Sequence, residues 1–169
     1  MGRYRPPQPK STPYITRQGY DSLETELKNL WVKRDEVTKA VAAAAAEGDR
    51  SENAEYIYRK KQLREIDRRL RYLQKRLPDL TVVDKVPDNQ EQVFFSAWVR
   101  LEDRSGREFI YRIVGPDEFD ADPRYISLDA PLARALLKKH LDEEVSVNTP
   151  SGEKNYIIID ISYADELSE

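Results

Sequence analysis

The sequence predicts an α+β chain in which an N-terminal antiparallel α-helical coiled-coil hairpin precedes a small domain built from an antiparallel sheet and one helix. Three observations carry this. Apolar residues recur in alternating steps of three and four through the first half, the period switches to that of strands near residue 93, and the two halves differ in charge. Residues 1–86 hold 19 Lys and Arg against 13 Asp and Glu, whereas residues 87–169 hold 9 against 18. Such an asymmetry suggests two modules with different partners.

Taking the elements in order, residues 1–14 read as a disordered arm, because four of the ten prolines fall before Tyr14 and no apolar period is present. From Thr16 a seam runs through Tyr20, Leu23, Leu27, Leu30, Val37, Val41 and Ala44, with Arg34 as its one polar interruption. After the GDRSEN break a second seam takes in Tyr56, Leu63, Ile66, Leu70, Leu73 and Leu77, with Arg59 at the missing step. Pro78 ends it. Two such helices joined by a few residues bury their seams only by folding back on each other. The coiled coil therefore occupies residues 15–86 with an acidic tip at 47–54, and about 30 residues at 1.5 Å each make a rod on the order of 45 Å long.

Residues 87–169 form the C-terminal domain. VFFSAWVRL (93–101), REFIYRIVG (107–115), YISL (125–128), EVSVNTP (144–150) and NYIIIDISY (155–163) are β-branched and aromatic runs separated by DRSGR, GPDEFDADP and PSGEK turn clusters. PLARALLKKH, starting at Pro131, is the single amphipathic helix. His140 is expected at its C-terminal end, favoured by the helix dipole and without a catalytic role.

Composition excludes much. With no cysteine there are no disulfides, thiolate metal sites or thiol nucleophiles, and His140 is the only histidine. No apolar run approaches the roughly 18 residues of a membrane span, and the N-terminus lacks the apolar segment of a signal peptide. A cytoplasmic protein that does not enter membranes is expected.

The stretch EGDRSENAEY, residues 47–56, sets Asp49 and Glu52 three residues apart. DRSE has the form of a capping box, with Asp49 accepting from the backbone of Glu52 and Glu52 reaching back. A second reading gives the acids a metal. Magnesium prefers oxygen ligands, keeps several waters, and is commonly shared between one or two carboxylates and a phosphate. Two carboxylates hold it poorly, so such a tip would act in trans, with Asp49 as ligand and Glu52 as ligand or as the base orienting an attacking water. The two readings do not exclude each other.

Beyond the tip, residues 58–76 carry nine basic residues against Glu65 and Asp67. Lys60, Lys61, Arg64, Arg68 and Arg71 recur at steps of three and four and can line one flank as a stripe suited to a polyanion. The alternative is neutralisation by Glu24, Glu26, Asp35 and Glu36 of the first helix. Tyr58 and Tyr72 could stack on bases or pack beside the seam.

The tip GDRSENAEY, the segment RKKQLREIDRRLRYLQK, and the C-terminal YRIVGPDE, YISLDAPLARALLKK and VNTPSGE closely resemble the bacterial Gre transcript cleavage factors, from about Ile15 to Tyr163. RSEN, ARALLKK and the dense basic run look most like the B type. The resemblance implies a transcription elongation factor, not a stand-alone enzyme, that binds RNA polymerase and inserts its hairpin through the secondary channel of backtracked complexes. It then stimulates the polymerase's own cleavage of the nascent RNA. Asp49 and Glu52 would match the catalytic tip and share a Mg2+ with the polymerase, with none bound by the free protein. The patch contacting the RNA 3′ segment would comprise Arg59, Lys60, Lys61, Arg64, Arg68 and Arg69. The C-terminal domain would be FKBP-like without prolyl isomerase activity and would dock through Asp129 and Pro131, with Ala130 where B-type members tend to have serine.

A monomer is expected, and the basic stripe also admits nonspecific DNA binding. Two rivals stand beside this reading. One is a regulator that occupies the channel without promoting cleavage; the other is a nonspecific nucleic-acid-binding coiled-coil adapter in which DRSE is only a cap.

Overall fold

The computed structural model describes residues 10–48 and 52–164. They fall into two compact units, one within residues 20–80 and a second made of residues 10–19 with 81–164. No helix among the described residues is long and apolar enough to cross a membrane.

The first unit is the hairpin. Helix α1 (Arg17–Ala45) has 29 residues, roughly 44 Å of helix, and α2 (Ala54–Arg76) has 23. Their seams meet as the heptad pattern requires: Val37, Ile66 and Leu70 are buried, with Leu27, Leu30, Val41 and Leu63 packed around them. Arg34, the polar interruption, is matched across the hairpin, its Nε donating to Asp67 Oδ1 at 2.6 Å. Closer to the open end, Arg69 grips both carboxylate oxygens of Glu26 at 2.7 and 2.9 Å. Each pair joins one helix to the other, and a forked guanidinium–carboxylate contact has directional preference as well as charge. These pairs help fix which turns face each other.

In the second unit β1 (Tyr14–Ile15) pairs in parallel with β2 (Thr81–Val82). A five-stranded sheet follows, made of β3 (Trp98–Asp103), β4 (Glu108–Val114), β5 (Tyr125–Ser127), β6 (Glu144–Thr149) and β7 (Gly152–Ser162) in the order β5-β4-β3-β7-β6. Only β4 and β5 run parallel. Helix α3 (Pro131–Leu136) lays Ala133 and Leu136 into a core with Val99, Leu101, Ile113, Tyr156 and Ile158. The expected α+β architecture is therefore present.

Two local expectations change. The first long strand begins at Trp98 rather than at residue 93, because Ser96 takes φ 70° and breaks the extended path. Helix α3 stops at Leu136, since Leu137 is extended and Lys138 turns with φ 67°. His140 consequently lies outside the helix, in an isolated bridge with Gln92, its Nδ1 3.2 Å from Glu143 Oε1.

A buried carboxylate organises the start of α1 within this unit. Thr16 precedes the helix, and its hydroxyl accepts from the Gly19 amide at 3.1 Å, as a helix N-cap does. Glu118 accepts from the Thr16 amide at 2.7 Å, from the Thr16 hydroxyl, and from the Gly115 amide at 3.1 Å. The carboxylate also suits the positive end of the helix dipole. Packing is tight around two glycines: a Cβ at residue 19 would sit 2.5 Å from Glu118 Oε1, and one at residue 115 would sit 2.0 Å from the Tyr14 carbonyl, which as backbone leaves room for glycine alone.

Candidate functional site

The hairpin tip is built by Asn53. Its side-chain oxygen accepts from the Tyr56 amide at 3.1 Å and caps α2, while its side-chain nitrogen donates to the Ala44 carbonyl at 2.7 Å in the last turn of α1. One side chain thus satisfies an orphan donor of the second helix and holds a carbonyl of the first. Gly48 leaves α1 with φ 146° in open space. The capping-box expectation is corrected here: α2 begins at Ala54 with Asn53 as its cap, so Glu52 lies outside the helix and not at its third position. Asp49 lies outside the described residues.

Glu52 is exposed in the turn directly before the cap. Among the described residues no three His, Asp or Glu side chains gather to hold an ion.

Along α2 the basic residues divide into two groups. Lys60, Lys61, Arg64, Arg68 and Arg71 are all exposed, and none is ion-paired with an acid among the described residues. Arg59 and Arg69 are occupied: Arg59 pairs with Glu55 at 2.8 Å and reaches Gln62, and Arg69 holds Glu26. Of the four acids considered as neutralisers, Glu26 meets Arg69 and Asp35 meets Lys39 of its own helix. The stripe thus retains its charge, whereas two of the six expected RNA-contacting residues already serve intramolecular pairs. Lys60 lies over the Tyr56 ring and Arg69 over Tyr72, so these tyrosines are engaged by cations of the same helix.

In the second unit, Asp129 and Pro131 sit together between β5 and α3, with Pro131 opening the helix. Asp129 is half-buried and accepts from Thr12 through both carboxylate oxygens, with the Thr12 amide at 3.0 Å and the hydroxyl as the second donor. Sequence reasoning missed Asn53, Thr12 and Glu118. Asn followed by Ala-Glu has the form of a helix start, which could have revealed the first; the other two act across more than a hundred residues.

The chain matches a family model described as the N-terminal region of transcription elongation factors over residues 13–82, and the GreA/GreB C-terminal model over residues 88–163. It is 57% identical over 166 residues to the transcription elongation factor GreB of Xanthomonas axonopodis pv. citri, covering 97% of this chain and 99% of that one. The chain belongs to the GreA/GreB family. A GreB of Pseudomonas aeruginosa is likewise 57% identical, over 96% of this chain and 98% of its own length. Among solved structures, the GreA/GreB factor from Nitrosomonas europaea is 22% identical with a TM-score of 0.42, covering 92% of this chain and all of that one. The GreA/GreB assignment rests on the sequence matches.

Proposed function

We propose that this GreA/GreB member binds RNA polymerase, passes its hairpin into the secondary channel, and stimulates cleavage of backtracked nascent RNA. The observation that carries the reading is an exposed carboxylate, Glu52, at the turn of a hairpin whose second helix presents an unneutralised cationic stripe. An RNA 3′ segment lying along Lys60, Lys61, Arg64 and Arg68 would meet the carboxylates at its end. In this division of labour residues 15–86 are the reaching element and residues 87–169 the docking domain, with Asp129 and Pro131 at the contact.

The polymerase supplies the remaining oxygens of the metal site, and a magnesium shared there would supply an activated water for in-line attack on the RNA phosphodiester. Asp49 would serve as a ligand and Glu52 as a ligand or as the base that orients the water. Asn53 fixes where this turn leaves and rejoins the helices, so the carboxylate starts from a defined backbone position. The protein contributes orientation and charge to an active centre that is not its own.

Asp49→Asn and Glu52→Gln should abolish stimulated cleavage in a purified backtracked complex while leaving polymerase binding largely intact. Normal cleavage by both variants would sink the reading in favour of a channel occupant or a nucleic-acid adapter.

A further inference from the structure

We propose that Thr12 is a positioning residue for Asp129, holding the carboxylate of the docking loop in the orientation in which it meets RNA polymerase. The inference rests on the docking role given above to Asp129. Its basis is the two-point grip: the Thr12 amide donates to Oδ2 at 3.0 Å and the Thr12 hydroxyl to Oδ1, so both oxygens are held by a single residue. Gripping both oxygens fixes the rotation of the carboxylate plane, which one bond would leave free. The contact joins residues 117 apart in sequence.

Thr12 is able to act as a reference point because the residues after it are themselves fastened. The Pro13 carbonyl accepts from the Thr81 amide at 2.7 Å, Val83 donates to the Ile15 carbonyl at 2.9 Å, and Tyr14–Ile15 forms β1 against β2. From the other side the loop is held by the Asp129 amide on Ser127 Oγ at 3.1 Å, by the Ala130 amide on the Ser127 carbonyl at 2.9 Å, and by Pro131 opening α3. A carboxylate has about four acceptor sites, so two bonds from Thr12 do not by themselves exclude a partner. The chemistry it would recognise is a donor, an arginine or lysine side chain or a backbone amide on the polymerase surface. Thr12 then belongs to the docking element and not to the arm that precedes it.

The test uses the full chain and purified RNA polymerase, with affinity measured for wild type, Thr12→Val, Thr12→Ser, Asp129→Ala and the Thr12→Val/Asp129→Ala double variant. Thr12→Val should bind roughly three- to tenfold more weakly, the ratio that one ordinary hydrogen bond supports, because the Thr12 amide still holds the other oxygen. Thr12→Ser, which keeps the hydroxyl, should restore most of the affinity. In the Asp129→Ala background the valine should change little, since the group it positions is gone. Stimulated cleavage by Thr12→Val should need more factor for half-maximal rate yet reach the wild-type rate at saturation, and the Asp129→Ala background separates this from simple destabilisation, which would weaken binding there too.

Wild-type affinity of Thr12→Val alongside weakened Asp129→Ala overturns the inference and leaves the docking role standing. Tighter binding by Thr12→Val overturns it as well, since Thr12 would then be competing with the polymerase. Wild-type affinity of Asp129→Ala removes the docking role itself, and the inference with it.

Discussion

Glu118 is a carboxylate at only 7% exposure, and it stays there because its oxygens meet the Thr16 amide, the Thr16 hydroxyl and the Gly115 amide. Removing it would leave those donors buried without an acceptor, so Glu118→Ala should cost about 2–4 kcal/mol of stability. Urea unfolding checks this, and a loss below about 0.5 kcal/mol, the scale of an ordinary surface substitution, would contradict it. Gly19 offers a sharper test because two effects oppose each other. Intrinsic helix propensity favours alanine over glycine by about 1 kcal/mol. The Cβ, however, would lie 2.5 Å from Glu118 Oε1 and force that buried group aside. Gly19→Ala is therefore expected to destabilise, and a raised melting temperature would show that the carboxylate yields at little cost.

Among the elements, α2 combines a structural seam and a charged flank, and the two should respond to different experiments. Replacing Lys60, Lys61 and Arg64 by alanine removes three exposed charges that no acid among the described residues neutralises. If all three meet RNA phosphates, the slope of log affinity for single-stranded RNA against log salt should flatten by about 2, at roughly 0.7 per charge. An unchanged slope would place the RNA elsewhere. Much of the hairpin was legible beforehand because a heptad seam repeats over many turns, and repetition averages out interruptions such as Arg34. The tip was less legible. Asp49 and Asn53 can both cap a helix, and choosing between them depends on the Ala44 carbonyl, which becomes a neighbour only after the chain has folded back. Strands β1 and β2 have two residues each, too few to show a period, and the start of β3 and the end of α3 were decided by turns at Ser96 and Lys138 that no apolar pattern marks. The Thr12–Asp129 contact left no trace in either local sequence.

At the scale of the whole molecule, the two units have separate apolar clusters, one around Val37, Ile66 and Leu70 and one around Val99, Ile113 and Ile158. The two tryptophans divide between them: Trp31 is exposed on α1, and Trp98 is buried in β3. In a Trp31→Phe background, Trp98 fluorescence reports the sheet alone while helical circular dichroism is dominated by the hairpin. Leu70→Ala should lower hairpin stability by about 2 kcal/mol, the low end for a buried leucine because a two-helix site can partly collapse. The fluorescence midpoint should then stay in place. Equal shifts in both signals would mean that the units unfold as one.

The strand order β5-β4-β3-β7-β6 has a bearing on how the chain is made. Strand β7, the last strand among the described residues, lies between β3 and β6, and the carboxylate that holds the first turn of α1 comes 102 residues after Thr16. Chains fold from the N-terminal end as synthesis proceeds. The seam between α1 and α2 is complete once Leu80 has emerged, whereas the sheet stays open until β7 has followed. A nascent chain of this factor would thus carry a formed hairpin well before its sheet could close.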